Sequence, residues 1–297
     1  MRVLSVDIGG TNFRVGIVSE NGTIEKLDRI PTGSVFRSGN VLEDLFRFLS
    51  GYPDGIFFDA VAIGFPATLN RERTQVVQAP NIPFMEALPV CAFLENRIHL
   101  PVLAERDVTF ALCYDVEKYQ LPSDGLICGI YYGTGIGNAI LLNGTPLAGR
   151  HGAVGELGHI PVLGSTVRCG CGNIGCLEAV AGGKALARIQ QECFPETPIK
   201  EMFLRHGQEQ AVVKLIDGMA IAAATEINIL DPDHVLLGGG VLNMQGFPRE
   251  ILDEKIHEHT RKPLPCRELN LIYTEDEPEK SVVGGSIYAC RKLGVKP

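Results

Sequence analysis

The sequence contains one local pattern twice, and this repeat constrains the fold more than any other feature. Each copy has an apolar β-rich run, a short glycine-rich turn and a second apolar run, and the copies cover residues 3–18 and 126–144. Two such units, about 125 residues apart, indicate a duplicated architecture. We therefore predict an α/β chain with two related halves and one phosphate-binding turn in each half.

The first turn combines glycine with groups that suit a nucleotide. Its glycine and polar residues are Asp7, Gly9, Gly10, Thr11, Asn12 and Arg14. Backbone amides and the threonine hydroxyl form a concavity suited to phosphate oxygens, and the arginine adds positive charge. The aspartate can hold Mg²⁺ directly or through water. The alternative is an ordinary hairpin turn that binds nothing, because glycine is common at such turns.

A segment rich in cysteine and glycine, HIPVLGSTVRCGCGNIGCLE, occupies residues 159–178. Cys169, Cys171 and Cys176 can converge on one ion if the chain turns sharply at its glycines, and His159 is the nearest fourth ligand. The spacing differs from that of zinc fingers and ribbons. Buried free thiols are the alternative, but so many cysteines with so little apolar sequence between them favour a structural Zn²⁺ site.

Two carboxylates border this segment. Glu156 precedes His159 by three residues, and Glu178 follows Cys176 by two. A bound metal would fix where both side chains point, and fixed carboxylates can accept hydrogen bonds from sugar hydroxyls. The alternative is a pair of solvated surface glutamates, and these residues alone do not decide between the two.

Asp107 falls where a predicted strand, residues 101–107, ends and a predicted helix, residues 108–119, starts. One interpretation is a helix N-cap, which is common for aspartate. The other is a general base, because ligands of open α/β sheets bind at the carboxyl ends of strands. The second interpretation needs support from elsewhere in the chain.

Periodicity and breakers predict the remaining main elements. These are helices at 41–50, 85–98 and 211–230, a buried strand at 59–65, a strand ending at Gly238, Gly239 and Gly240, and a last helix from near Gly284. The three consecutive glycines leave room for a flat ring such as adenine. They do not form the GxGxxG pattern, so no nicotinamide cofactor is indicated.

Composition excludes several classes of partner. The net charge is −8 and no basic run occurs, so we expect neither nucleic acid nor an anionic membrane as a partner. No long apolar span or signal-like start is present. Six of the nine cysteines lie outside the metal candidate, mostly in apolar segments where free thiols pack well, and we expect a reducing, cytoplasmic location.

The motifs DIGGTNFR, GTGIG, ELGH, CGCGNIGCLE and LLGGGV occur in this order, and through them the chain resembles the ROK family of sugar kinases and sugar-sensing repressors. The resemblance implies an actin/hexokinase-like (ribonuclease H-like) duplicated α/β fold with two domains around a cleft. It places residues 1–108 plus about 284–297 in a small domain. Residues 109–283, with the zinc loop, form the large domain.

The resemblance also implies roles for individual residues. Asp107 matches the catalytic base, and His159 has two roles, as a sugar contact and a zinc ligand. The implied substrate-binding positions are Asn81, Arg106, Glu156, His159 and Glu178. The implied ATP-binding positions are Asp7 to Arg14, then Gly133, Thr134 and Gly135, and finally Gly238, Gly239 and Gly240. Many family kinases have asparagine where this chain has Arg106, so Arg106 either turns away from the sugar or reshapes the pocket around a hydroxyl.

Within the family, longer strings such as GFPATLNRERT and ERDV are most similar to D-allose kinases. We therefore expect Mg²⁺-dependent transfer of the γ-phosphate of ATP to the 6-hydroxyl of D-allose. Glucose and N-acetylmannosamine are the alternative substrates. A sugar-responsive repressor is less expected, because the first turn starts at residue 7 and the net charge is −8. The sequence does not say how many subunits assemble, and the resemblance allows a homodimer, because family members are often dimers.

Overall fold

The computed structural model describes residues 1–80 and 82–295, and Asn81, a predicted substrate contact, lies outside them. The chain forms two compact units. Unit 1 comprises Met1–Pro122, Ala148–Val154 and the chain from Glu277, and unit 2 comprises Ser123–Leu147 and Gly155–Asp276. None of the helices in the described part of the chain combines the length and hydrophobicity needed to cross a bilayer.

Unit 1 is built on a mixed five-stranded sheet in the order β3-β2-β1-β4-β7. Its strands and those of a small hairpin are β1 (Arg2–Ile8), β2 (Asn12–Ser19), β3 (Ile24–Pro31), β4 (Ala60–Phe65), β5 (Thr68–Leu69), β6 (Val76–Gln78) and β7 (Val102–Arg106). Its first helices are α1 (Thr32–Val35), α2 (Val41–Gly51), α3 (Val90–Ile98) and α4 (Asp107–Lys118). β1, β4 and β7 run parallel, so their carboxyl ends lie at one edge of the sheet.

Unit 2 repeats this topology, in the order β10-β9-β8-β11-β12. Its strands are β8 (Leu126–Tyr132), β9 (Ile136–Leu142), β10 (Thr145–Pro146), β11 (His234–Gly238) and β12 (Leu271–Tyr273). Its helices are α5 (Glu178–Ala181), α6 (Gly183–Cys193), α7 (Met202–His206), α8 (Gln210–Leu230) and α9 (Arg249–His259). In both sheets an antiparallel three-strand meander is followed by two parallel strands, which confirms the predicted duplication.

The last helix, α10 (Lys280–Lys292), returns to unit 1 and packs against α4 and β1. We predicted that it would start near Gly284, but it begins four residues earlier. A Cβ atom at Gly284 would lie 1.9 Å from the carbonyl oxygen of Phe110, and one at Gly285 would lie 2.2 Å from Ser5 Oγ. These glycines therefore mark the closest approach of α10 to its neighbours and not its first turn.

The core of unit 1 lies on both faces of its sheet. On one face, Leu4 and Ile63 pack with Leu45 of α2. On the other, Val3 packs with Phe110 of α4 and Val282 of α10. Continuous burial of β1 and β4 follows from this arrangement, since both strands are covered on two sides.

Two predicted boundaries differ from the structure. The predicted helix 85–98 is a 3₁₀ turn, Pro83–Met85, followed by α3 from Val90, because the proline at 89 restricts Leu88 before it and suits the start of a helix. The two units also divide the chain elsewhere than at residues 108 and 284. α4 packs against α10 and so belongs to unit 1, and a separate segment, Ala148–Val154, joins it.

Candidate active site

The turn between β1 and β2 is stabilised by hydrogen bonds at its base and is exposed at its tip. The Gly9 amide donates to the Asn12 carbonyl at 2.8 Å, and Thr32 Oγ1 donates to the Gly9 carbonyl at 2.6 Å. A Cβ atom at Gly9 would lie 2.7 Å from the Asn12 carbonyl oxygen, so the turn requires glycine there. Gly10 and Thr11 are exposed, and this part of the turn can present polar groups to a phosphate.

Asp7, at the end of β1, is held by two donors. Arg14 Nη1 lies 2.8 Å and Ser281 Oγ lies 2.7 Å from Asp7 Oδ2. The carboxylate is 5% exposed, so both contacts fix its orientation. Asp7 and Arg14 were predictable from the sequence, whereas Ser281 was not, because nothing local in the sequence relates α10 to β1.

Asp107 is the first residue of α4 and is partly buried. Burial, and then the negative charge of Asp7, raise the pKa of Asp107 to about 7. The Val108 amide donates to Asp107 Oδ1 at 2.8 Å and opposes this rise in pKa. The N-cap position is occupied by Arg106. A carboxyl group that exchanges its proton near neutral pH has the chemistry of a general base.

Arg106 is 6% exposed, and an arginine buried this deeply is usually paired. Its backbone amide donates to Glu105 Oε1 at 2.9 Å. Its positive charge lowers the pKa of Asp107 and partly offsets the effect of burial. The arginine therefore forms part of the electrostatic setting of Asp107.

In unit 2, two glycine turns leave the same edge of the sheet, because β8 and β11 are parallel neighbours. The turn after β8 is held by α6, since the amides of Gly183 and Lys184 donate to the carbonyls of Gly133 and Thr134 at 2.8 Å and 3.0 Å. Thr134 itself is exposed. The turn can therefore present its tip to a ligand from a fixed base.

The turn after β11 packs directly on the end of β8. Gly239 has a φ of +96°, and a Cβ atom there would lie 2.6 Å from the Tyr132 carbonyl oxygen, so only glycine fits. Gly238 is buried and Gly240 is exposed. The three glycines thus bring an exposed backbone next to the turn at Gly133.

The predicted metal ligands converge. One ligand atom from each of His159, Cys169, Cys171 and Cys176 lies within 4.8 Å of the other three. His159 Nδ1 lies 3.6 Å from Cys169 Sγ, and Cys171 Sγ lies 3.6 Å from Cys176 Sγ. Such separations suit four ligands at about 2.0–2.3 Å from one tetrahedral ion. The nitrogen and sulfur donors are those that zinc prefers.

The metal cluster also places the two glutamates. Glu156 Oε2 lies 3.4 Å from His159 Nε2, while the other ring nitrogen, Nδ1, faces Cys169. Glu178 Oε1 lies 3.1 Å from Cys169 Sγ. The other oxygen of Glu178 packs on Gly135, where a Cβ atom would lie 2.1 Å away. The structure therefore groups Glu156, His159 and Glu178 around the predicted metal site, next to the glycine turn.

Comparison with known proteins gives consistent matches over nearly the whole chain. The model of the ROK family matches residues 3–292. A glucokinase from Thermotoga maritima is 32% identical over 266 residues, which is 81% of this chain and 82% of the relative. An N-acetyl-D-glucosamine kinase from Salmonella heidelberg is 30% identical over 274 residues, 85% and 88% of the two chains. The crystal structure of a ROK hexokinase from Thermus thermophilus superimposes with a TM-score of 0.80 at 27% identity, over 99% of each chain.

Proposed function

The chain belongs to the ROK family, and from that premise we propose that it is an ATP-dependent hexose kinase that phosphorylates the 6-hydroxyl of D-allose. The names of the relatives, a glucokinase and an N-acetyl-D-glucosamine kinase, support a sugar kinase. The strings GFPATLNRERT and ERDV, which resemble D-allose kinases, support the choice of sugar.

The setting of Asp107 is the observation that carries the proposal. Asp107 comes directly after the carboxyl end of the parallel strand β7, and its side-chain carboxyl group has a pKa of about 7. A sugar alcohol is too weak an acid to lose its proton to this carboxylate beforehand. Asp107 therefore accepts the proton as the oxygen–phosphorus bond forms, while phosphoryl transfer itself depends mainly on positioning and charge.

The exposed glycine turns are the proposed nucleotide site. The turns at Gly9–Asn12 and Gly133–Gly135 bind phosphate groups, and Gly238–Gly240 lies under the adenosine. Mg²⁺, when bound, neutralises phosphate charge. Asp7 fits this ion, because Mg²⁺ in kinases commonly takes one or two carboxylates together with substrate oxygens.

The proposed sugar site is formed by Glu156, His159 and Glu178. Each glutamate can accept hydrogen bonds from sugar hydroxyls. Zn²⁺, when bound to His159 and the three cysteines, supplies a rigid closed centre. His159 Nε2 then remains on the Glu156 side of the ring, so the same residue serves metal and sugar.

Arg106 and Asn81 complete the proposed sugar contacts. Arg106 adjoins the base in sequence and its side chain is buried, and we assign it to shaping the pocket around one sugar hydroxyl. Arginine is a donor only, so it suits a hydroxyl that accepts a hydrogen bond.

Initial-rate measurements with ATP, Mg²⁺ and a panel of hexoses test the proposal. The panel contains allose, glucose, mannose, N-acetylglucosamine and N-acetylmannosamine, and the highest kcat/KM is expected for allose. A higher kcat/KM for another sugar would reject allose and retain the kinase. Absence of sugar-dependent ADP formation with the whole panel would reject the kinase.

Glucose is the second candidate substrate. The similarity to the Thermotoga maritima glucokinase, at 32% identity, favours it. Because allose and glucose differ only in the orientation of the 3-hydroxyl, an Arg106→Asn variant should lower the ratio of allose to glucose kcat/KM if Arg106 contacts that group. An unchanged ratio would remove Arg106 from the basis of specificity.

A further inference from the structure

The side chain of Arg73 is largely buried in unit 1 although the residue lies in a hairpin turn. The turn joins β5 to β6 and is fixed by Asn70 Oδ1, which accepts the amides of Thr74 and Gln75 at 2.8 Å and 3.0 Å. Arg73 has a φ of +57°, a backbone conformation that residues other than glycine rarely adopt. Its side chain is only 10% exposed. The backbone of this residue is thus held in an unfavourable conformation that directs a guanidinium into the unit.

The first partner of this guanidinium is Glu105, the residue two positions before Asp107. Arg73 Nε lies 3.0 Å from Glu105 Oε2, and the glutamate is 3% exposed. Glu105 Oε1 accepts the backbone amide of Arg106 at 2.9 Å. Tyr288 of α10 also points its hydroxyl at Glu105 Oε2, at 3.5 Å. One buried carboxylate therefore connects Arg73 to the backbone that precedes the proposed base.

The second partner of Arg73 is the segment Ala148–Val154, which we call the strap. Arg73 Nη1 donates to the Gly152 carbonyl at 2.8 Å. Gly152 packs tightly on the same hairpin, since a Cβ atom there would lie 2.1 Å from the Leu69 carbonyl oxygen. In the chain, Glu156 follows the strap by two residues. The strap is therefore fixed in unit 1 and lies just before Glu156, a proposed sugar-binding residue, in the sequence.

We infer that Arg73 is a positioning residue for the proposed reaction. One end of its guanidinium fixes the end of β7 that directly precedes Asp107, through Glu105, and the other end fixes the strap that leads to Glu156. Arginine suits this role because its planar fork can bond two acceptors in a defined geometry, whereas lysine offers one compact charge. The kinetic consequences of this inference rest on the proposed function, while its structural consequences do not.

Two variants test the inference. Arg73→Lys keeps the charge but cannot reproduce the fork. Arg73→Met combined with Glu105→Gln removes both charges and so avoids leaving a buried carboxylate unpaired, which would destabilise the fold. Arg97→Met is the matched control, because Arg97 also pairs with a glutamate in unit 1, at 3.1 Å from Glu43, but is 44% exposed.

We expect kcat to fall about 10-fold in Arg73→Lys and about 100-fold in the double variant, because small misplacements of reacting groups have effects of this size. The KM for the sugar should rise several-fold and the KM for ATP should stay within about twofold. The control should match the wild type. Folded variants that keep kcat and sugar KM within about twofold of the wild type would overturn the inference, and so would an equal rise in both KM values.

Hydrogen–deuterium exchange separates this inference from the proposed function. Amides of the strap and of the first turn of α4 should exchange faster in both Arg73 variants than in the wild type, whether or not any sugar is phosphorylated. In the control variant their exchange rates should stay at the wild-type values. If the wild type phosphorylates no sugar, the proposed function fails, and faster exchange still supports the positioning role. Exchange identical to that of the wild type in both regions would reject it.

Discussion

At the residue scale, Asp107 owes its properties to groups that are distant in the sequence. The strand–helix junction was predictable from the apolar run before it and the helical period after it. The pKa of about 7 was not predictable, because it depends on burial and on the negative charge of Asp7. Asp7 comes close to Asp107 only through the pairing of β1, β4 and β7. Ser281 and Arg73 were missed for the same reason, since their contacts with Asp7 and Glu105 are long-range.

Replacing the proposed base tests its role directly. Asp107→Asn keeps the size and most of the polarity of the side chain but cannot accept the proton. We expect kcat to fall about 10²- to 10⁴-fold, while sugar and ATP dissociation constants measured by calorimetry stay close to wild-type values. Turnover near the wild-type rate would show that Asp107 is not the base.

The raised pKa of Asp107 also predicts a pH dependence of activity and stability. The reaction needs the ionised carboxylate, so kcat/KM should rise with pH and level off above about 7. The free energy of unfolding should follow the opposite course. Between the ordinary pKa of 3.8 and about 7, the unfolded chain ionises while the folded chain keeps the proton, so stability falls as pH rises.

Thermal unfolding of Asp107→Asn measures this contribution. The variant should melt at a higher temperature than the wild type at pH 8, and the difference should shrink toward pH 4. A difference in Tm that does not change with pH would indicate that Asp107 has an ordinary pKa in the folded protein.

At the element scale, a loop and a helix depend on glycine for different reasons. Gly135 makes room for the Glu178 carboxylate beside the metal cluster, whereas Gly284 makes room for the backbone of α4. The sequence did not indicate the first role, because Gly135 and Glu178 lie far apart in the chain. It misplaced the second, because a glycine pair in an apolar run looks like a helix start unless the neighbouring helix is known.

Loss of the metal should affect the sugar site before the nucleotide site. Cys171→Ser removes one ligand of the cluster, and we expect zinc content to fall and the sugar dissociation constant to rise, with ATP binding nearly unchanged. Cys193→Ser is the control, because Cys193 is an exposed free thiol outside the cluster. Wild-type protein purified without chelator that contains less than about one-fifth of a zinc ion per chain would argue against the site.

Gly284→Ala tests the close approach of α10 and α4. The added methyl group would lie 1.9 Å from a backbone oxygen, so the helix must shift, and we expect a loss of about 1–3 kcal/mol in the free energy of unfolding. Gly51→Ala, at the end of α2 with no heavy atom within 4 Å of the added group, should be neutral or slightly stabilising. Equal urea midpoints for the two variants would contradict the packing described.

At the scale of the whole molecule, the repeated strand–turn–strand pattern was enough to predict two related α/β halves. The exact division of the chain was not predictable, because it depends on helix packing. α4 belongs to unit 1 because it packs mainly against α10 and also against β4 and β7, and Ala148–Val154 joins unit 1 through contacts with the β5–β6 hairpin. The sequence thus predicted local elements and chemistry, while tertiary packing determined which elements belong together.

The return of α10 to unit 1 has a consequence during synthesis. The ribosome makes Val282, Val283 and Ile287 only after it has completed all of unit 2. Until then the apolar surface around Phe110 and Val3 lacks its cover. A nascent chain of this protein therefore exposes a patch that a chaperone can hold, and unit 1 matures last although most of it is translated first.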